Sequence, residues 1–463
     1  MLFRIITALF LLASSIVLGQ KNSEYVITCG TPDPSSNWEN KFQELLKEQP
    51  DFQHYRATHN NPTYVIPVIF HVIHAGESVG VYPNIAAEQV YAEIEVLNED
   101  FNGMGLNTST YPASAFVNWA INQSLPSASV DSLGRIKIAN LDVEFCAATI
   151  DTNGNLLSEP GIDRVDLNAL NIPDPTTFTD GAAFQNYLDS ALKPRTIWDV
   201  EKYLNVWITD KNASFPHGGI ATTPPLSGLP GPGLGATDST DGVWVYTKSV
   251  GSLLKYPSGD YANALIRGRT LTHEVGHWLG LWHNWGANSC TTDYCDDTPP
   301  SSGPSVGNPS YPDDPGSCNN PSNFPDGEIY MNFMDYTADP FKYMFTEDQT
   351  IRMRTALQNS PHRNQLGTHG LCSLITEVPA IANDLSGIMV YPNPSSGPFT
   401  IELPTNYSTA IINVRNLSGQ LLQQLTIRYE RNFQLELDLC PGIYFLEIQP
   451  EKGRRWVQKL IIR

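Results

Sequence analysis

Apolar residues crowd first at the N-terminus, where MLFRIITALFLLASSIVLGQ sets one basic residue, Arg4, before an apolar run from Ile5 to Leu12 and a stretch of small residues. That order predicts a secretory signal peptide over residues 1–19. The run falls short of the ~20 residues that cross a bilayer, and no later stretch reaches that length, so no stable membrane span is expected. Residues 20–60 are polar and contain proline, with NWENKFQELLKEQ as a short amphipathic helix, and read as a pro-segment rather than a domain. The Val- and Ile-rich PTYVIPVIFHVIH (62–74) predicts a strand that opens a folded domain over residues 61–372. Its His71 and His74 would face opposite sides of that strand, which makes them structural and not ligands. AAEQVYAEIEVLNEDF (86–101) repeats apolar residues at helical spacing and predicts a long helix packed on a sheet.

Two further strands are expected at YLNVWITD (203–210) and GVWVYTKSVG (242–251). The Gly- and Pro-rich HGGIATTPPLSGLPGPGLGATDSTDG between them reads as an irregular loop before an edge strand, a place that commonly frames a cleft. Beyond a linker at 373–387, short alternating strands such as FTIELP, NFQLELDL and GIYFLEIQ predict a small all-β sandwich over 388–463.

The chain has 463 residues, enough for two or three domains, with 41% apolar and 16% charged residues, so a real core can form. A formal net charge of −20 argues against nucleic acid as a partner and suits bound cations or basic substrates. In an exported chain the seven cysteines become disulfide candidates, and the odd count leaves at least one for another task.

LTHEVGHWLGLWHNWG (271–286) concentrates the chemistry. On a helix His273 and His277, four apart, point the same way and can share one cation. Glu274, offset by one residue, is no comfortable third ligand but can stand beside a metal-bound water. Gly280 ends the helix, because glycine enters the left-handed region without steric cost, and the chain turns to bring His283 back as third ligand. Three neutral imidazoles leave the fourth position of Zn2+ open, which is the catalytic arrangement.

HEVGHWLGLWH matches the H-E-x-x-H-x-x-G-x-x-H pattern of the metzincin zinc endopeptidases, and NFMDY (332–336) supplies Met334 for their methionine turn. The chain resembles the pappalysin family, more narrowly its bacterial cytophagalysin-like branch. VIFHVIH, IEVLNEDF, YLNVWITD, SVGS, CDDTPP and FTEDQ all fall in the family's order, so the likeness covers about Pro62 to Cys372. It implies an α+β fold, a metzincin-like two-lobed zinc peptidase domain with a twisted mixed sheet and two long helices above the cleft and an irregular lobe below. The implied activity is hydrolysis of protein or peptide substrates by metal-activated water, with Glu274 as general base, Tyr336 as hydrogen-bond donor to the developing oxyanion and Met334 as support for the ligand platform. Several relatives cut before basic residues.

Ca2+ is implied at the acidic loop CTTDYCDDTPP (290–300), with Asp297 and Thr298 as candidate ligands and Asp296 as a weaker one. A cysteine often found after the methionine turn in the family is Phe341 here. Cys290, Cys295 and Cys318 therefore do not all pair among themselves; Cys290 with Cys318 is the expected pair, which sends Cys295 elsewhere, with Cys146 as one candidate partner and the connectivity left open. Cys29 in VITCGTPDP looks like the switch residue of pappalysin zymogens, and a thiolate can take the open zinc position. Activation then needs a cut between Cys29 and Pro62, and Arg56 is the basic site near the domain start. VYPNPSSGPFTI, NLSGQ, PGIYFLEI and KLIIR resemble the C-terminal sorting domain of type IX secretion. That implies export through the periplasm of a Gram-negative bacterium by the type IX machinery, to the cell surface or the medium. The opposing reading is a zinc-stabilised adhesin on a peptidase fold; an intact Glu274 favours the enzyme, since a pure binder has no use for a general base.

Overall fold

The computed structural model describes residues 28–48, 64–104 and 124–372, apart from 126, 128, 227–236, 310–317 and 319–326, together with most of 389–462. The expected signal peptide, Arg56 and the 373–387 linker lie outside the described residues. The chain divides into two compact units, Met1–Leu374 and Ile375–Arg463.

The first unit is built on a seven-stranded sheet whose order is β1 (Thr28–Cys29), β6 (His217–Ala221), β7 (Val243–Tyr246), β5 (Leu204–Thr209), β2 (Tyr64–His74) and β3 (Val143–Ala147), with β4 (Ile162–Asp166) also on β2. The eleven-residue β2 is long enough to pair in parallel with β3 through Tyr64–Val68, with β4 through Phe70–His74 and with β5 through Val68–Val72. Only β6 runs against its neighbour β7. The strands alternate strictly. Val68, Phe70, Val72, Val206, Ile208, Val243 and Val245 feed the larger core on one face, while Ile73, Trp207 and Trp244 feed a second core with Phe184 and Phe215 on the other. Because both faces are covered, these strands read as nearly continuous apolar runs.

Over the larger core lie α2 (Ala87–Phe101) and α3 (Arg269–Trp278). Val90, Leu97 and Phe101 of α2 meet Leu271, Val275 and Trp278 of α3 there. A buried charge pair fixes one helix to the other. Asp100 accepts from the Arg269 guanidinium at 3.3 Å and from the Thr272 hydroxyl at 2.8 Å, and Arg269 also donates to the Asp339 carbonyl at 2.8 Å. Burying those charges is tolerable only because the partners are in place. Farther on, α4 (Glu347–Asn359) opens on a capping box made by Thr346 and Gln349. The N-terminal helix α1 (Ser36–Glu48) rests on the same unit.

Two sequence expectations change. His217–Ala221 is a strand and not part of a loop, and it covers the edge of 243–246, which is interior rather than an edge strand. Gly218 and Gly219 gave the segment the look of a turn, whereas its extended shape is imposed by pairing with β7. The cysteines also pair differently: Cys146 is bonded to Cys372, while Cys295 stays a buried free thiol. Parallel pairing with β2 carries Cys146 to the end of the unit where the Leu371 carbonyl accepts from the Thr149 amide, and Cys372 is the next residue. Cys290 and Cys318 remain thiols, and the Cys318 thiol donates to the Pro300 carbonyl at 3.8 Å.

His71 is fully buried between Asp163 at 2.8 Å and Asn205 at 2.9 Å, a satisfied core histidine. The second unit contains two antiparallel sheets, β11 (Leu421–Arg428), β10 (Thr409–Arg415), β13 (Gly442–Pro450) and β14 (Trp456–Ile462) in one, and β12 (Asn432–Leu435), β9 (Phe399–Glu402) and β8 (Met389–Tyr391) in the other. Phe399 and Ile401 of the smaller sheet share a core with Ile412, Val414, Leu446, Ile448 and Leu460 of the larger.

Candidate active site

All ten residues of α3 are buried, so its two histidines reach the site from a rigid support. The helix ends at Trp278, and Gly280 at φ +91° turns the chain as only glycine does readily. The turn delivers two things at once. The Leu281 carbonyl accepts from His277 Nδ1 at 2.8 Å, and His283 returns so that its Nε2 lies 3.1 Å from His277 Nε2. His273 Nε2 stands 3.2 Å from that same atom, and its Nδ1 donates to the Phe333 carbonyl at 2.7 Å.

Carbonyl oxygens only accept, so the Nδ1 atoms of His273 and His277 carry their protons and both Nε2 atoms present lone pairs. Burial, with the neighbouring imidazoles adding to it, holds His273 and His277 well below the ordinary histidine pKa; burial also lowers His283. Neutral lone pairs converging within 3.2 Å repel one another unless a cation lies between them. The donor set therefore fits a metal, and the backbone carbonyls behind it fix the tautomers as outer-shell partners do. Cys29 joins the cluster: its sulfur and the three imidazoles offer ligand atoms that all lie within 4.8 Å of one another.

Glu274 is 1% exposed and aims into the same space. Its Oε2 accepts from the Thr31 hydroxyl at 2.7 Å and from the Cys29 thiol at 3.5 Å. Burial pushes its carboxyl up to about 7 against those hydrogen bonds. The Cys29 thiol is raised too, first by burial and then by the Glu274 charge. β6 passes so close that a Cβ built on Gly219 would lie 2.6 Å from Glu274 Oε1.

Below the histidines, Met334 is buried and its sulfur fills the space beside Gly276, 2.6 Å from where a Cβ would stand. Asn332 holds this turn by donating to and accepting from Gln349, the capping residue of α4. Tyr336 follows with its ring 5.8 Å from that of His273 and 5.2 Å from that of His283, and its hydroxyl donates to the Cys29 carbonyl at 3.5 Å. Burial, followed by the Cys29 and Glu274 charges, raises its pKa.

The acidic loop closes on the start of α4. Asp297 is fully buried and its Oδ2 accepts from the Asp348 amide at 3.0 Å, while the Asp296 and Asp297 amides donate back to Asp348. The Thr298 hydroxyl donates to Asp293 at 2.7 Å. Asp296 turns outward. Among the described residues no hydrogen-bond donor reaches buried Asp297 Oδ1 or Asp293 Oδ2, and burial pushes Asp293 up to about 7 and Asp297 well above the carboxylate range, with Asp348 adding to the latter.

Several residues at the site were not foreseen. Thr31 and Asp33, the latter 3.8 Å from His283 Nδ1, reach it only because β1 pairs with β6. Trp285 stacks on the His283 ring at 4.5 Å and 5°. Its place two residues past the third histidine was a usable signal; the others carried none in sequence.

The site finds its counterpart among extracellular metalloproteases. Residues 186–358 match the family described as pregnancy-associated plasma protein-A, and 389–463 match the secretion system C-terminal sorting domain. Mature mirolysin of Tannerella forsythia, solved with a cleaved peptide, is 30% identical over 66% of this chain and 96% of its own, with a TM-score of 0.50. A point mutant of its precursor, promirolysin, is 27% identical over 73% and 96% at the same TM-score. Among curated relatives, an extracellular metalloprotease of Aspergillus fumigatus is 32% identical over 36% of this chain and 51% of its own length, and one of Colletotrichum graminicola 24% over 76% and 95%. The chain spans about 30%, 51% and 29% of the first three curated relatives it matches. It belongs to the pappalysin family of metalloproteases. With its sorting domain it is a secreted or cell-surface protein, and among the described residues no helix is long and apolar enough to cross a membrane.

Proposed function

We propose that the protein is a zinc-dependent endopeptidase made as a zymogen. The observation that carries this reading is the convergence of the His273, His277 and His283 Nε2 atoms, with the Nδ1 protons of the first two spent on backbone carbonyls, beside a buried Glu274. These imidazoles would hold the zinc, which when bound acidifies water and polarises a carbonyl. Glu274, buried beside the three imidazoles, would take the proton of the attacking water and pass it to the leaving nitrogen. Tyr336 donates its hydroxyl proton in a hydrogen bond to the oxygen that gains charge. Met334 packs under Gly276 and keeps the ligand helix at its height. An extended peptide substrate would pair with the edge of β6 that β1 occupies here, since strand addition satisfies the free backbone groups. In the zymogen the Cys29 sulfur would take the fourth ligand position.

The test is Glu274→Gln in the full chain. Proteolysis of a peptide library should disappear while zinc remains at about one per chain, because the ligands are untouched. Turnover close to that of the parent chain would remove Glu274 from this role.

Asp297 and Asp293, each with an oxygen that meets no donor among the described residues, are the calcium candidates the loop supports best, ahead of Thr298 and the exposed Asp296. Added calcium should raise the melting temperature of the parent chain but not of Asp297→Asn; equal behaviour of the two rejects the site. The sorting domain is read by the type IX machinery, so a chain lacking 389–463 should stay in the periplasm, and its normal release would defeat that assignment.

A further inference from the structure

The candidate site accounts for Cys29 and Thr31 but not for α1. This helix buries Trp38, Glu39 and Phe42 against the peptidase unit, with Glu39 only 1% exposed. Four hydrogen bonds converge on the Glu39 carboxylate. Arg352 of α4 donates through Nη1 at 2.8 Å and through Nη2 at 2.9 Å, Trp282 donates its indole N–H at 2.8 Å, and Gln43 donates from the next turn of α1 at 2.7 Å.

The seat around this pair is as complete as a domain core. Arg352 is itself 1% exposed, donates also to the Gly280 carbonyl at 3.0 Å, and lies over the Phe42 ring at 4.7 Å. Trp38 stacks on Phe42 at 4.8 Å and donates its indole N–H to the Pro224 carbonyl at 2.8 Å. Leu226 and Ala356 close the apolar side. Gly280 opens the surface to both rings: a Cβ there would meet Trp38 at 3.4 Å and Phe42 at 3.5 Å. None of these contacts involves the histidines, Glu274 or Cys29.

We propose that Arg352, Trp282, Gly280 and Pro224 form a docking site built for a helix bearing Trp38, Glu39 and Phe42, and that this site retains the pro-segment after the chain is cut between α1 and β2. This rests on residues 20–60 being a pro-segment. α1 is then the affinity element and Thr28–Asp33 the blocking element. The cut alone does not release the inhibitor; latency ends when α1 dissociates or is itself degraded. The physical reason is the buried charge. A guanidinium left without its carboxylate in a closed seat is costly, so loss of one partner of such a pair commonly weakens binding by about 30-fold or more, about 2 kcal/mol.

The experiment uses the full chain carrying Glu274→Gln, so that it cannot cut itself, with a site-specific protease sequence placed within residues 50–61. After complete cutting, gel filtration and mass spectrometry report whether the N-terminal fragment travels with the rest, and its dissociation constant is read from a labelled fragment. The native fragment should co-elute. Glu39→Gln should weaken its retention about 30-fold or more, Trp38→Ala should do so as well, and Cys29→Ala should leave most of it. Both Glu39 and Trp38 lie on the released fragment, so each variant fragment is titrated against the peptidase unit folded from the parent chain, whose own residues are unchanged. Free dissociation of the native fragment, or equal retention by Glu39→Gln, overturns the proposal. Binding is read without turnover; a chain that never becomes a protease would sink the proposed function and leave this result standing.

Discussion

Replacing Gly219 with alanine tests whether the position of the Glu274 carboxylate limits turnover. The backbone at Gly219 is not left-handed, so alanine brings no dihedral strain, but its Cβ would crowd Glu274 Cγ and stand 2.6 Å from Oε1 and 2.8 Å from Cδ. Restoring an ordinary contact of about 3.5 Å displaces that carboxylate by about 1 Å. Glu274 can give way, because the atoms in conflict, Cγ to Oε1, all belong to one side chain that turns about its own χ angles and not to backbone, and stability should change by no more than about 1 kcal/mol. Catalysis has no such freedom. A misplacement of about 1 Å costs about 10²-fold, equivalent to about 2.7 kcal/mol in the barrier. The assay is steady-state hydrolysis of a fluorogenic peptide by the processed enzyme, with melting temperature and metal content measured on the same sample. kcat should fall about 100-fold while the other two hold. An unchanged kcat would refute the reasoning, and a collapsed melting temperature would mean that β6 moved instead of Glu274.

Tyr336→Phe should lower kcat by about 10²-fold with a smaller change in KM, the scale of one lost oxyanion donor; an unchanged rate leaves the ring as packing around His273 and His283. Burial raises the Glu39 pKa, but the Arg352 hydrogen bonds and charge outweigh it and bring the value below its ordinary 4.5. A depressed carboxylate pKa stabilises the folded, docked state above the unfolded value and loses that contribution as pH falls through the folded one. The melting-temperature gap between the parent chain and Glu39→Gln should therefore be full above about pH 5 and shrink in more acidic buffer, and a gap independent of pH would mean the pair is not ionised.

What the sequence disclosed is what local spacing controls. His273, Glu274, His277 and Gly280 stand in one helix and its cap, so a period of 3.6 and one glycine were enough to bring them together, and β2, β5 and β7 announced themselves by long apolar runs. The contributions of β6 and α1 depend on contacts far along the chain. His217–Ala221 is extended because β7 pairs with it, and Gly218 and Gly219 hid this. Glu39 is one of several acids on an amphipathic helix, and its partner Arg352 is 313 residues away and equally unremarkable in sequence. The Cys146–Cys372 bond was hidden for the same reason, being set by β2–β3 pairing and not by cysteine spacing.

In the proposed latent state, blockage is distributed over every group given a chemical role. Gly30 donates to the Gly219 carbonyl at 2.9 Å, occupying the strand edge that a substrate would use. Thr31 donates to Glu274 and accepts from the Ala221 amide at 2.7 Å, tying the base to β6, and Tyr336 is turned to the Cys29 carbonyl. The Cys29 sulfur is one contact among these. An added sulfur ligand cannot by itself explain why the segment also forms two backbone pairings and a four-bond carboxylate seat; each of those would be idle if metal ligation alone enforced latency. The division follows from the chemistry of an exported protein, in which a thiol is the group most exposed to oxidation. An inhibitor that relied on Cys29 would be disarmed by one oxidant, whereas the Thr31 and Glu39 hydrogen bonds are indifferent to it and yield only to cutting or removal of the segment.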